Sequence, residues 1–141
     1  MKEEIGVEER LFRKSDKPSE DLSCNWHHKK APSYHDIVST DATGKWCIFA
    51  STTDVDEEWS KISHAIENDQ LMCAKVSTAL RSMGHDGHVI CVYTRDWADR
   101  RDIMRAREVL RSLGFVKELG YKRDTDTRNR IYGSGEWYLC A

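Results

Sequence analysis

"KWCIFASTTDVDEEWSKISHAI", residues 45–66, decides how the rest of the chain is read. Its opening, Lys45 to Ser51, is an apolar run of strand length, and Thr52, Thr53 and Asp54 close it with residues that start helices. Val55, Trp59, Ile62 and Ile66 then recur at spacings of 4, 3 and 4, the rhythm of one helical face. A strand that feeds an amphipathic helix through a short turn is the seed of a layered sheet-and-helix domain.

Working outward, Asn68 ends that helix and "LMCAKVS", residues 71–77, reads as the next strand. "TALRSMGHDG", 78–87, is a connection, and "HVICVYT", 88–94, is the clearest strand of all. A second helix begins near Asp96 or Asp99 and runs to Gly114, a natural residue just past a helix end. Ile103, Ala106, Leu110 and Leu113 mark its apolar face, and Arg100, Arg107 and Arg111 share another. Asp96, Asp99, Asp102 and Glu108 lie three or four residues from these arginines, so the pattern reads as a solvated, salt-bridged surface rather than an RNA contact.

"FVKELGYKR", "NRIYGS" and "EWYLCA" complete the chain as short strands. Before the first strong strand, "CNWHHKKAPSYHDIVSTDATGK", 24–45, reads as an ordered loop or a short edge strand. Residues 1–23, charged and weakly periodic, read as a flexible or loosely docked arm. The expected organisation is that arm followed by one α+β domain over 24–141, with a curved, mostly antiparallel sheet and helices on one face. A split βαβ arrangement of residues 45–120 is the alternative. Trp46, Ile48, Phe49, Trp59, Ile62, Ile66, Val89, Ile90, Val92, Leu110, Leu113 and Ile131 are the expected core.

The 141 residues carry a net charge of −2 that conceals an asymmetry. Residues 1–94 hold 11 Lys/Arg against 16 Asp/Glu, whereas residues 95–130 hold 11 against 7. That balance argues against a histone-like polycation and allows a local anion site. No run approaches the roughly 18 apolar residues of a membrane span, and the N-terminus lacks a signal peptide's apolar core. The five cysteines include no CxxC, and Cys47, Cys73, Cys91 and Cys140 fall in apolar runs where free thiols act as small hydrophobes. A reducing cytoplasm is the expected setting, with no membrane partner. Cys24, His27, His28 and His35 lack a matching second half for a zinc site, so neither a metal nor a cofactor is expected. There is no phosphate-cradling glycine loop and no GxSxG.

Near the C-terminus, "GYKRDTDTRNRIYGSG", 120–135, sets Lys122, Arg123, Arg128 and Arg130 around Asp124 and Asp126. Read as a hairpin, it is either a solvated turn or the rim of a pocket for a phosphorylated ligand. Lys75 interrupts an apolar strand and must reach water, a partner or a ligand. His88 opens another strand, where a satisfied structural histidine is the competing explanation. Mixed Lys, Arg and His groups suit phosphate, because arginine offers a fork and lysine a compact charge.

The segments "GKWCIFAS", "DEEWSKISHAI", "AKVS", "HVICVYT", "LRSLG" and "YKRDTDTRNRIY" occur in an order that resembles the basophilic-leukemia-expressed protein family, over roughly residues 44–133. The resemblance implies a fold like that of the eukaryotic mRNA cap-binding initiation factor. Some family members carry a phosphothreonine lyase label. A cap-binding likeness would offer Trp26 as one plate for a base, but the 78–87 connection supplies no second tryptophan. A cofactor-free lyase would need a lysine base (Lys75 or Lys122), a histidine acid (His88) and an arginine such as Arg128 for the leaving phosphate. The expected function is therefore a binding module for a phosphorylated small molecule, nucleotide or RNA, using Trp26, Lys75, His88, Lys122, Arg128 and Arg130. A lyase is the alternative. Sequence leaves the oligomeric state open.

Overall fold

The computed structural model describes residues 13–34, 40–83, 85–128 and 137–141. Among these, six strands form one sheet: β1 (Trp26–Lys30), β2 (Gly44–Ala50), β3 (Cys73–Ser77), β4 (His88–Thr94), β5 (Gly120–Arg123) and β6 (Leu139–Cys140). Their order across the sheet is β1-β3-β4-β2-β5-β6, and every neighbouring pair is antiparallel. The helices are α1 (Val55–Glu67), α2 (Arg100–Ser112) and the short α3 (Asp124–Arg128). This is the α+β architecture expected from sequence, and the curved antiparallel sheet excludes the split βαβ alternative.

Local chemistry explains the two long helices. α1 follows Ser51–Asp54, carries Asp56, Glu57 and Glu58 in its first turn where the helix dipole favours acids, and buries Val55, Trp59, Ile62, Ala65 and Ile66. α2 is capped by the Asp99 side chain, which accepts from the Asp102 backbone N–H at 3.2 Å. Just past its end, Gly114 takes φ +105°, a left-handed turn that a side chain would strain. Both helices pack on the face presented by Trp46, Ile48, Ala50, Ala74, Val76, Ile90 and Val92. Trp46 is fully buried and its indole N–H donates to Ile103 O at 3.0 Å, tying sheet to helix. Tyr121 meets Trp46 edge-on at 5.2 Å and hydrogen-bonds Thr94 Oγ1.

Several expectations need correction. Phe49 is 71% exposed because strand parity turns it, with Lys45 and Cys47, to the face opposite the long helices. Val89 and Leu113, also expected in the core, are only half-buried. Ile131 lies outside the described residues. Arg107, expected on a solvated arginine face, has no exposed surface. It lies over the Trp46 ring at 5.8 Å and donates to the carbonyls of Ala141, Phe115 and Lys117 at 2.8, 2.8 and 2.7 Å. It is an internal clamp on the C-terminus. Residues 13–23 reach the domain through Ser19, whose N–H and hydroxyl bond Asp56, and through Pro18 O and Asp21 O, which accept from Ala79 and Leu80.

Candidate functional site: the sheet face opposite the helices

Residues 120–128 of the basic tract do not form a tight strand–turn–strand hairpin. β5 ends at Arg123 and the chain turns directly into α3. The acids make that turn: Arg123 forks onto Asp126 at 2.8 and 2.9 Å, and Asp124 is buried. Asp124 donates its backbone N–H to Thr43 O at 2.9 Å and accepts from Lys45 Nζ at 3.2 Å and from the Thr43 hydroxyl. The "NRIYGS" strand and Arg130 lie outside the described residues, and Arg128 is the last residue of α3.

Pairing register assembles the site. Alternation puts Trp26, His28 and Lys30 of β1, Cys73, Lys75 and Ser77 of β3, and Cys91 and Tyr93 of β4 on one face. Lys45, Cys47 and Phe49 of β2 and Lys122 of β5 complete it. Lys45 and Lys122 are direct cross-strand partners, a like-charge pairing whose cost the Asp124 carboxylate on Lys45 offsets in part. His28 is the cross-strand partner of Lys75. Lys75 and Lys122 are therefore brought to one face, with Lys45 between their strands.

The electrostatics of these lysines are linked. Burial holds the Lys75 ammonium below its usual pKa, and Lys45 and Arg81 push the same way against Cys91. Burial and then Lys45 lower Lys122 in turn. Cys91 faces Cys47 across β2 and β4; a hydrogen bond from Cys47 lowers the Cys91 thiol, and Lys45 and Lys75 assist. Burial raises the Cys73 thiol to about 11.

At one end of this face lies a groove of roughly 660 Å³ whose walls include Trp26, Phe49, Ser77, Arg81, His85 and Val89. Lys75 Nζ sits 4.0 Å above the Trp26 ring and the Arg81 guanidinium 5.7 Å from it. His88 also borders the groove, but its ring points to the helix side with Ile90 and Val92. It is buried there, with Nδ1 donating to Ser77 O at 2.8 Å. The sheet thus separates His88 from Lys75 and Lys122. Among the described residues no second tryptophan faces Trp26; Trp97 packs against Tyr138 at 5.5 Å and Arg123 at 5.0 Å.

Sequence reasoning missed Lys45, which looked like the first residue of a core strand, although its parity with Cys47 and Phe49 was countable. It also set Cys24 and His27 aside as metal ligands and missed Asp21, which joins them on the other side of β1. Asp21, Cys24 and His27 bring one donor atom each within 4.8 Å of one another. No helix among the described residues is long and apolar enough to cross a membrane.

Structural comparison places the fold. C. elegans eIF4E-3, solved with the 4E-binding protein Mextli and a cap analog, matches with TM-score 0.67 at 16% identity, over 96% of this chain and 80% of that one. Schistosome eIF4E complexed with m7GpppA and 4E-BP matches with TM-score 0.56 at 19% identity, over 71% of this chain and 59% of that one. Ascaris suum eIF4E-3 with the m2,2,7G cap matches with TM-score 0.56 at 13% identity, over 82% and 66%. This chain spans less than two thirds of the latter two, and at such identities the likeness is one of fold. Residues 37–128, more than half of the chain, match the family model described as "Basophilic leukemia-expressed protein Bles03", and the chain belongs to that family.

Proposed function

We propose that this protein is a binding module for a phosphorylated nucleotide, free or at the end of an RNA, held on the sheet face opposite the long helices. The carrying observation is the Lys45–Lys122 cross-strand pair with Lys75 nearby, three poorly solvated lysines on one face, where Lys45, itself paired to Asp124, lowers the pKa of the other two. A phosphate there relieves the repulsion and gains charge-assisted hydrogen bonds. The groove between Trp26 and Phe49 lies two residue rows from Lys45 along the strands, about 13 Å at the usual rise. That is the reach of a nucleotide from base to terminal phosphate. Structures of the same fold hold cap nucleotides, which supports the ligand class. Arg128 and Arg130 join the proposed rim on the strength of sequence.

The lyase reading keeps a lysine of lowered pKa but loses its histidine, because His88 lies on the far side of the sheet. Isothermal titration with GTP and with 7-methyl-GTP tests the binding reading. Both should bind, more weakly as salt rises, and Lys75→Ala with Lys122→Ala should remove most of the affinity while leaving the fold intact. Equal binding by parent and double variant refutes it. A phosphothreonine peptide incubated with the protein should keep its phosphate.

A further inference from the structure

We propose that Asp21, Cys24 and His27 form a zinc-class metal site on the opposite side of β1 from the lysines. The three donors come from a short D-x2-C-x2-H stretch in which the chain leaves the N-terminal segment and enters the edge strand. Asp21 Oδ2 lies 3.4 Å from Cys24 Sγ and 2.5 Å from His27 Nε2, and all three donor atoms fall within 4.8 Å of one another.

The carboxylate is built for this task. Asp21 is 2% exposed, and its Oδ1 is held by the Ser23 backbone N–H at 2.8 Å and the Ser23 hydroxyl at 2.6 Å. That leaves Oδ2 aimed at the thiol and the imidazole. Outer hydrogen bonds that orient a ligating group in this way are the usual second layer of a metal centre. A tetrahedral ion with bonds of about 2.0–2.3 Å needs its donors roughly 3.3–3.7 Å apart. The Asp21–Cys24 spacing already meets this, and the Asp21–His27 pair opens by about 1 Å when an ion replaces the shared proton.

Charge and ligand type select the ion. Asp21 as carboxylate, Cys24 as thiolate and His27 as neutral imidazole balance a divalent cation, with the thiol proton and any imidazolium proton released to solvent. One sulfur, one nitrogen and one oxygen suit zinc and disfavour magnesium and calcium, which take oxygen. Cys24 and His27 are half-buried, so a fourth position is reachable by water. The site would also staple neighbouring loops. Asp21 O accepts from Leu80 N, Cys24 O from the Thr78 hydroxyl and Asn25 O from Thr78 N, so the ion would fix the connection between β3 and β4 that lines the aromatic groove.

Equilibrium dialysis of the full chain against Zn(II) with a competing chelator tests this, paired with Co(II) substitution and its thiolate charge-transfer absorption. The expected result is one equivalent bound. Cys24→Ser and His27→Asn should each weaken affinity more than tenfold with unchanged circular dichroism, while Cys140→Ser, at an exposed thiol, changes nothing. Zinc should raise the Tm of the parent and not that of Cys24→Ser. If Cys24→Ser fails to fold, His27→Asn carries the same comparison. The absence of stoichiometric zinc, or a cobalt charge-transfer band that survives both substitutions, overturns the proposal.

Discussion

Replacing Asp124 by asparagine should weaken the fold and tighten the hold on phosphate together. The Asp124 carboxylate is the counter-charge of Lys45 at 3.2 Å, and their side chains are only 5% and 9% exposed. Breaking a buried pair by removing one partner costs about 3–5 kcal/mol. Asparagine keeps the volume and can still accept from Thr43, so the low end, about 3 kcal/mol, is expected. For a chain of this size that is a fall in Tm of about 9 °C. The same change leaves Lys45 beside Lys122 with its compensating anion gone, so a phosphate has more to neutralise. Thermal melts of parent and Asp124→Asn across a pyrophosphate series read both effects at once. The variant should start lower and gain more Tm than the parent at each pyrophosphate concentration. A variant that melts lower but responds no better to pyrophosphate would show that Lys45 plays no part in anion binding, and the reasoning fails.

Gly44→Ala should be severe, because an added Cβ would lie 2.1 Å from the hydroxyl of Tyr121, a fully buried ring with no room to retreat. Gly120→Ala meets the Trp137 ring at the same 2.1 Å, but that ring is partly exposed and can swing, so urea melts should rank Gly44→Ala well below Gly120→Ala. Arg107→Met removes three carbonyl bonds at once and should cost several times the roughly 1 kcal/mol of a single hydrogen bond; hydrogen exchange should show the C-terminal residues around Ala141 losing protection first. The pH dependence has a definite sign. Lys75 and Lys122 have lowered pKa values that a bound anion would raise, so ligand binding takes up protons. Calorimetry in buffers of different ionisation enthalpy should show uptake in the alkaline range, with affinity constant below the lowered lysine values and falling as pH rises through them.

The strands and long helices were legible because their signals are periodic and local: the 4, 3, 4 spacing of α1, and Gly114 closing α2. Failures arose where periodicity carries no information. "KWCIFA" is apolar on both faces, so composition could not reveal that Phe49 turns outward while Trp46 and Ile48 turn in. Arg107 was legible in principle, since it lies four residues from Ile103 and three from Leu110 on the buried stripe, but residue type alone points a charged side chain to water. The basic tract misled for a related reason. Its cations drew attention, while Asp124 and Asp126 set the turn into α3 by binding Lys45 and Arg123. His88 shares parity with Ile90 and Val92, but β4 is apolar on both faces, so its sequence does not say which parity meets the core. The Lys45–Lys122 pairing, by contrast, depends on a contact between β2 and β5 far apart in sequence, and no local pattern encodes it.

The central claim is that one face of the sheet receives the phosphates of a nucleotide, and amide chemical-shift mapping of a nucleoside triphosphate titration tests it most directly. The account predicts shifts concentrated at Lys45, Lys75, Tyr93 and Lys122, extending to Trp26 and Phe49 and fading as salt rises. Shifts confined to the exposed arginines of α2, Arg100, Arg101 and Arg105, or no saturable shifts at all, would contradict it.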